Sequence, residues 1–170
     1  MKHFDYFAPT EIIFGAGRVT EAGALAARYG KKAMLVTVPE FPAVAELYAK
    51  VKKSLADAGV ACVHYDGVIP NPTTELVTRG AELAKAEGVD VVIGLGGGSS
   101  MDTAKAIAVE ATHPGTAWDY NCHTAGPTEQ TLPILAISTT AGTGSQTTPC
   151  AVITKTLSLI HISEPTRLDV

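Results

Sequence analysis

The chemistry-bearing residues of this chain gather in a few glycine- and hydroxyl-rich stretches. The first is Gly96-Gly97-Gly98-Ser99, followed by Asp102. Glycines let the backbone turn sharply and let a ligand approach it closely. The free N–H groups of a helix that starts behind such a turn form a natural seat for phosphate. Ser99 is the expected N-cap, and Asp102, three residues on, resembles a capping box with Asp in place of Glu. Asp102 is then a candidate to bind a ribose or amide group, or a carboxylate that simply favours the helix dipole. The alternative for the whole stretch is a tight turn that binds nothing. Gly94-x-Gly96-x-x-Ser99 lacks the third glycine of the dinucleotide fingerprint, and no G-K-[ST] follows, so the stretch is not a P-loop.

The second stretch runs from Ser138 through Thr139, Thr140, Thr143 and Ser145 to Thr148, with Gly142 and Gly144 between them. It offers a phosphate or ribose many neutral donors with little steric bulk; a polar hairpin without a ligand is the alternative. The third candidate is Asn71, held between Pro70 and Pro72, where its amide either meets a ligand or closes an Asx turn. His3, His64, His113, His123 and His161 are scattered, and none pairs with an acid at metal-ligand spacing. Cys62-x-His64 lies along an expected strand and reads as packing rather than a zinc site. The three cysteines, Cys62, Cys122 and Cys150, contain no C-x-x-C pair and read as reduced thiols.

Alternating strands and helices position these residues. Phe4–Phe7 and Glu11–Phe14 suggest short edge strands, and a helix is expected over Val19–Tyr29, ended by Gly30. Strands are expected at Ala33–Val38 and Val60–Tyr65, separated by a helix over Ala43–Ala58. A helix capped by Thr73 or Thr74 runs to about Glu87. The apolar run around Val91, Val92, Ile93 and Leu95 reads as a strand covered on both faces. The helix behind it carries a stripe of Met101, Ala104, Ala108 and Ala111 and is stopped by His113-Pro114-Gly115. An irregular excursion over 116–131 carries Trp118, and Pro133–Ile137 reads as a further buried strand. This order implies βαβ crossovers and a parallel sheet. Ligands of such sheets sit at the carboxyl ends of the strands, where residues 37–40, 66–73, 96–99 and 138–148 are expected to converge.

Composition narrows the partners. A net charge of −4 gives no reason to expect nucleic acid or an anionic membrane. No apolar run approaches the length of a membrane span, and the first residues have no signal-peptide core, so a cytoplasmic location is expected. With 170 residues the chain is long enough for one domain with its own core.

Gly96-Gly97-Gly98-Ser99-x-Met101-Asp102-x-x-Lys105, taken together with 138–145 and Pro70-Asn71-Pro72-Thr73, resembles the iron-containing (group III) alcohol dehydrogenases. Ile13-Phe14-Gly15-Ala16-Gly17 fits the same family. The resemblance covers about Phe4 to Thr154. It implies an α/β fold, a Rossmann-like parallel sheet with flanking helices as in the N-terminal domain of dehydroquinate synthase-like proteins, over residues 1–155. It also implies NAD or NADP as cofactor, with the pyrophosphate on Gly97, Gly98 and Ser99 and with Gly96 as a further cofactor-binding residue. Asn71 and Asp102 would lie near the nucleotide and nicotinamide, and Thr139, Thr140, Thr143 and Thr148 would line the rest.

The implied activity is interconversion of a small alcohol and its aldehyde or ketone, assisted by Fe2+ or Zn2+, in a full-length enzyme that can be homo-oligomeric. A glycerol dehydrogenase, a maleylacetate reductase or an inactive nucleotide-binding fragment are the alternatives. Three departures stand out. Val38 occupies a position where many members carry an Asp that accepts ribose hydroxyls, which leaves NAD versus NADP open. Gln146-Thr147 replaces the usual Glu-Val. The family's helical domain, with its metal ligands, is expected to be missing; residues 156–170 instead resemble a translated sequencing adapter and are set apart as a non-native tail. No catalytic or metal-binding residue is assigned.

Overall fold

The computed structural model describes His3, residues 9–120 and residues 126–156. Four parallel strands form one sheet: β1 (Lys32–Val36), β2 (Ala61–Tyr65), β3 (Val91–Gly96) and β4 (Ile134–Ser138), in the order β2-β1-β3-β4. β1 sits between β2 and β3, with Leu35 opposite His64 on one side and Ile93 on the other. Ile93 in turn faces Leu135 of β4. Helices α2 (Pro42–Asp57), α3 (Thr74–Glu87) and α4 (Gly98–Glu110) provide the three crossovers, and the short α1 (Ala22–Ala26) precedes β1.

The alternation of side chains along β1 and β3 splits the core in two. Ala33, Leu35, Val91, Ile93 and Leu95 pack with Ala22 and Ala26 of α1 and Tyr48, Val51 and Leu55 of α2. Met34, Val36 and Val92 point the other way, onto Val77 and Ala84 of α3 and Ala104, Ile107 and Ala108 of α4. β1 and β3 thus read as continuous apolar runs because both faces are covered. The chain steps from β1 outward to β2 and then returns to the other side of β1 for β3. The switch point, where a crevice opens at the strand ends, therefore lies between β1 and β3.

The helix boundaries follow local chemistry. Pro42 opens α2, where its fixed φ suits a first turn and its missing N–H is not needed. Gly88, with φ 62°, closes α3 by donating its N–H to the carbonyls of the last turn. Asp90 Oδ2 accepts from the amides of Lys31 and Lys32 at 2.7 and 2.9 Å, tying the start of β1 to the start of β3.

Several expectations are corrected. Phe4–Phe7 lies outside the described residues, and Glu11–Phe14 pairs with no described strand. The helix expected over Val19–Tyr29 is a 3-10 turn, Arg18–Glu21, followed by the five-residue α1. β4 is half-buried rather than buried, as befits an edge of the described sheet. α4 starts at Gly98 with Gly97 as its N-cap, and no side chain caps it, so the Ser99–Asp102 capping box does not form. Nor does α4 bury a single stripe. Every residue from Ser100 to Glu110 is buried, because the helix is covered by β3, α3 and the segments after β4. Among the described residues no helix is long and apolar enough to cross a membrane.

Candidate functional site

The expected turn joins β3 to α4 with almost no room to spare. Gly94 lies on the α4 face of β3, where an added Cβ would stand 2.9 Å from both Ala104 Cβ and Met101 Cα. It thereby gives the close helix–strand approach that the last glycine of a dinucleotide fingerprint ordinarily provides. Gly96 has φ +146°, and a Cβ there would reach Ser100 Oγ at 2.6 Å. Gly97 and Gly98 differ in kind. Their missing Cβ atoms would point toward Thr140 Oγ1 at 3.5 Å and Thr143 Cγ2 at 3.3 Å. The space those side chains would fill is thus the space between the turn and the 138–148 loop.

A cavity of about 310 Å³ opens there, lined by Asn71, Pro72, Gly98, Ser99, Asp102, Thr143, Ser145, Thr148, Cys150 and Val152. Six expected site residues, Asn71, Gly98, Ser99, Asp102, Thr143 and Thr148, meet in this wall. Gly96, Gly97, Thr139 and Thr140 stand next to it without lining it. Thr139 N donates to Gly96 O at 2.9 Å, and Ser138 Oγ donates to Thr140 O at 3.0 Å, which fixes the loop's entry beside the glycines. Residues 37–40, expected to join the convergence, do not line the cavity. There Thr37 Oγ1 donates to Val38 O and so accepts from His64 Nε2 at 2.9 Å. The His64 ring also stacks edge-on against Tyr48, and burial holds its proton affinity below the ordinary imidazole range. Cys62, two residues before it on the strand, is exposed.

The electrostatics of the cavity come from two sources. The first turn of α4 has no side-chain cap, so its leading N–H groups and the positive end of the helix dipole face the opening. Beneath them lies a carboxylate that sequence reasoning placed near a ligand but whose partners it did not foresee. Asp102 Oδ1 accepts from Ser145 Oγ at 2.6 Å, and Oδ2 accepts from Val152 N at 3.1 Å. Lys105 Nζ lies 3.6 Å from Asp102 Oδ1 and donates to Ser145 Oγ and Cys150 O at 2.8 and 2.6 Å. Burial lowers the proton affinity of Lys105, and Asp102 opposes that shift. Lys105 and Ser145 were visible only as motif letters; nothing in their spacing of 40 residues announced a contact.

Asn71 has φ +52°, making it the only non-glycine residue in the left-handed region among those described. Asparagine tolerates this conformation better than most residues, and the strained geometry presents it at the cavity rim, exposed. The strand-end loop that carries it is tied down from behind: Thr154 N donates to Pro72 O at 2.8 Å and Thr74 N to Thr154 O at 3.0 Å. A larger cavity, about 460 Å³, lies beside α3 between Arg79, Glu82, Trp118 and Lys155. It involves neither the glycine turn nor the 138–148 loop.

The cavity by α4 fits the anionic half of a dinucleotide. It combines an uncapped helix N-terminus, glycines whose absent side chains leave the space open, and threonines on the facing wall. It does not fit a metal: among the described residues no three His, Cys, Asp or Glu side chains converge.

Comparison with known proteins finds relatives along most of the chain. The sequence profile of the iron-containing alcohol dehydrogenases matches residues 9–165. A choline dehydrogenase of Bacillus subtilis is 46% identical over 158 residues, covering 91% of this chain and 39% of that protein. The crystal structure of an archaeal halo-thermophilic alcohol dehydrogenase from a Red Sea brine pool superposes with a TM-score of 0.86 at 42% identity, covering 91% of this chain and 41% of the other. The sulfoacetaldehyde reductase of Bifidobacterium kashiwanohense, solved in complex with NAD+, superposes with a TM-score of 0.80 at 29% identity over 99% of this chain and 44% of that one. The chain therefore spans about two-fifths of the length of the relatives it matches.

Proposed function

The chain belongs to the iron-containing alcohol dehydrogenase family, and on that premise we propose that it is the nicotinamide-dinucleotide-binding part of an enzyme interconverting a primary or secondary alcohol and its aldehyde or ketone. The observation that carries this reading is the uncapped N-terminus of α4 opening between Gly98 and Thr143 onto the cavity. The first-turn amides at Gly98 and Ser99 receive the pyrophosphate oxygens, since each is a donor without an intrahelical partner. Thr143 and Thr148 supply hydroxyls from the facing wall, and Asn71 offers its amide from the rim. Asp102, paired with Lys105 and oriented by Ser145 and Val152 N, presents its remaining lone pairs to the cavity. An amide N–H2 or a ribose hydroxyl is the natural donor to them.

When bound, the nicotinamide supplies or takes up the hydride, and the protein's part is to bind and orient it. The Red Sea relative is an alcohol dehydrogenase and the B. kashiwanohense relative holds NAD+; both names support the reading. The described residues bring no three His, Cys, Asp or Glu side chains together that could hold a cation. Location in the cytoplasm, with a small-molecule substrate and neither nucleic acid nor membrane as partner, belongs to the same proposal.

The test uses the purified chain. Titration with NADH is expected to give a saturable fluorescence change, and no alcohol oxidation is expected on adding NAD+, an alcohol and Fe2+ or Zn2+. A folded sample with no response to NADH or NADPH would remove the functional assignment. Metal-dependent turnover would show that the chain is more than a binding part.

A further inference from the structure

We propose that Lys105 is a positioning residue of the cofactor cavity: its buried ammonium fastens the 145–152 wall to α4 and thereby sets both the wall threonines and the Asp102 carboxylate. The inference rests on the cofactor reading given above. Lys105 is 4% exposed, Ser145 5% and Asp102 8%. An ammonium so enclosed is costly unless its protons are matched by acceptors, and here Ser145 Oγ and Cys150 O take two of them while Asp102 supplies the charge.

The wall needs an external fastening. Gly142 and Gly144 adopt φ +105° and +67°, and between them and Ala151 the only regular element is the three-residue 3-10 turn Ser145–Thr147. Its own bonds are short-range, Thr147 N to Gly144 O and Ser145 N to Thr143 Oγ1. The links that reach α4 from Ser145, Cys150 and Val152 all end on Lys105 or Asp102. Thr143 and Thr148, the wall's candidate ligand hydroxyls, stand on either side of Ser145. Lys105 touches no part of the open cavity itself, so it acts through its neighbours.

Binding of NADH to wild-type chain, Lys105→Met and Ser145→Ala is followed by fluorescence, together with amide hydrogen exchange over residues 143–152. Each variant removes two charge-assisted hydrogen bonds at the wall, Lys105→Met those to Ser145 Oγ and Cys150 O and Ser145→Ala those to Lys105 and Asp102. With part of that loss made up by water, NADH is expected to weaken by at least roughly tenfold in either variant, and exchange in that segment to speed up. A purely structural lysine would not shape the pH profile, whereas a positioning one does. Asp102 on α4 and Cys150 in the wall are the titratable groups that face Lys105. In a Cys150→Ser background, NADH affinity is therefore expected to fall as pH rises through the lowered range in which Lys105 loses its proton. Adding Lys105→Met is expected to flatten that limb.

If Lys105→Met does not fold, Ser145→Ala decides the same point. Unchanged affinity and exchange in a folded variant, or an unchanged alkaline limb, would overturn the proposal. A wild-type chain that binds no NADH would overturn the cofactor reading, and the positioning role with it. The exchange data would still report separately whether Lys105 holds the wall.

Discussion

Filling the space beside Gly98 separates cofactor binding from folding more cleanly than any other change in this chain. Gly98 is the first residue of α4, in ordinary helical backbone, and its missing Cβ faces Thr143 Cγ2 at 3.3 Å across the cavity. In Gly98→Val the branched side chain enters the cavity and not the core. The helix itself is not harmed, since valine is a better helix residue than glycine by a fraction of a kcal/mol. Thr143 is exposed and can turn away at the cost of the long bond, 3.3 Å, that its Oγ1 accepts from Ser145 N. Stability is therefore expected to stay within about 1 kcal/mol of wild type.

Ligand binding should respond very differently. A pyrophosphate resting on the amides at Gly98 and Ser99 must approach the Cα of Gly98 closely, and the valine methyls would occupy that approach. Two hydrogen bonds to a charged acceptor are lost, at about 1.5–3 kcal/mol each. A loss of even 3 kcal/mol corresponds to a Kd higher on the order of 100-fold. NADH fluorescence titration and urea unfolding of the same preparation measure both quantities, with Gly98→Ala as the graded intermediate. A folded Gly98→Val that binds NADH within about threefold of wild type, less than 1 kcal/mol, would refute the placement of the pyrophosphate.

Other perturbations test neighbouring parts of the account. Gly94→Ala should cost about 2 kcal/mol or more in urea unfolding, because its Cβ meets Ala104 and the Met101 backbone at 2.9 Å in a closed core. Asn71→Ala should lower stability by about 1 kcal/mol by forcing a less tolerant residue into φ +52°, while Asn71→Gly should not. Both should weaken NADH equally if the amide contributes to binding, and equal wild-type affinity in both would assign Asn71 to the turn alone. His64 gives a pH prediction: burial lowers its folded-state proton affinity, so the unfolded chain takes up the proton first. Its stabilising contribution is complete above the ordinary imidazole range and is lost as pH falls through that range toward the lowered folded value. The urea midpoint should decline between about pH 7 and 5, and His64→Gln should reduce that decline.

The sequence made the central strand, glycine turn and helix legible because three local signals coincide there: an apolar run, three glycines and a helical stripe. Asn71 and the hydroxyl loop were legible as polar loops at strand ends, and six of the expected residues do share one cavity. The start of α4 was misplaced because Ser99 is a good cap in isolation, whereas the tight approach of β3 begins the helix at Gly98 and leaves it uncapped. Asp102 was assigned either to the helix dipole or to a ligand because its true partners, Ser145, Val152 and Lys105, are fixed by tertiary closure and not by spacing. The helix after Gly17 was overestimated for a related reason. Its alanines suit an α-helix, yet Gly17 at φ 78° and close packing against Ser54 confine it to a 3-10 turn and five helical residues. Residues 37–40 failed to join the cavity because Thr37 is engaged by His64 and Val38 O.

The most direct measurement is the amide spectrum of the isotopically labelled chain during titration with NAD+. Saturable shifts are expected at Gly97, Gly98, Ser99 and Thr143, strongest at the first turn of α4, with no comparable change around Trp118 and Arg79. Shifts centred on the α3 cavity, or none at the glycine turn of a folded chain, would contradict that expectation.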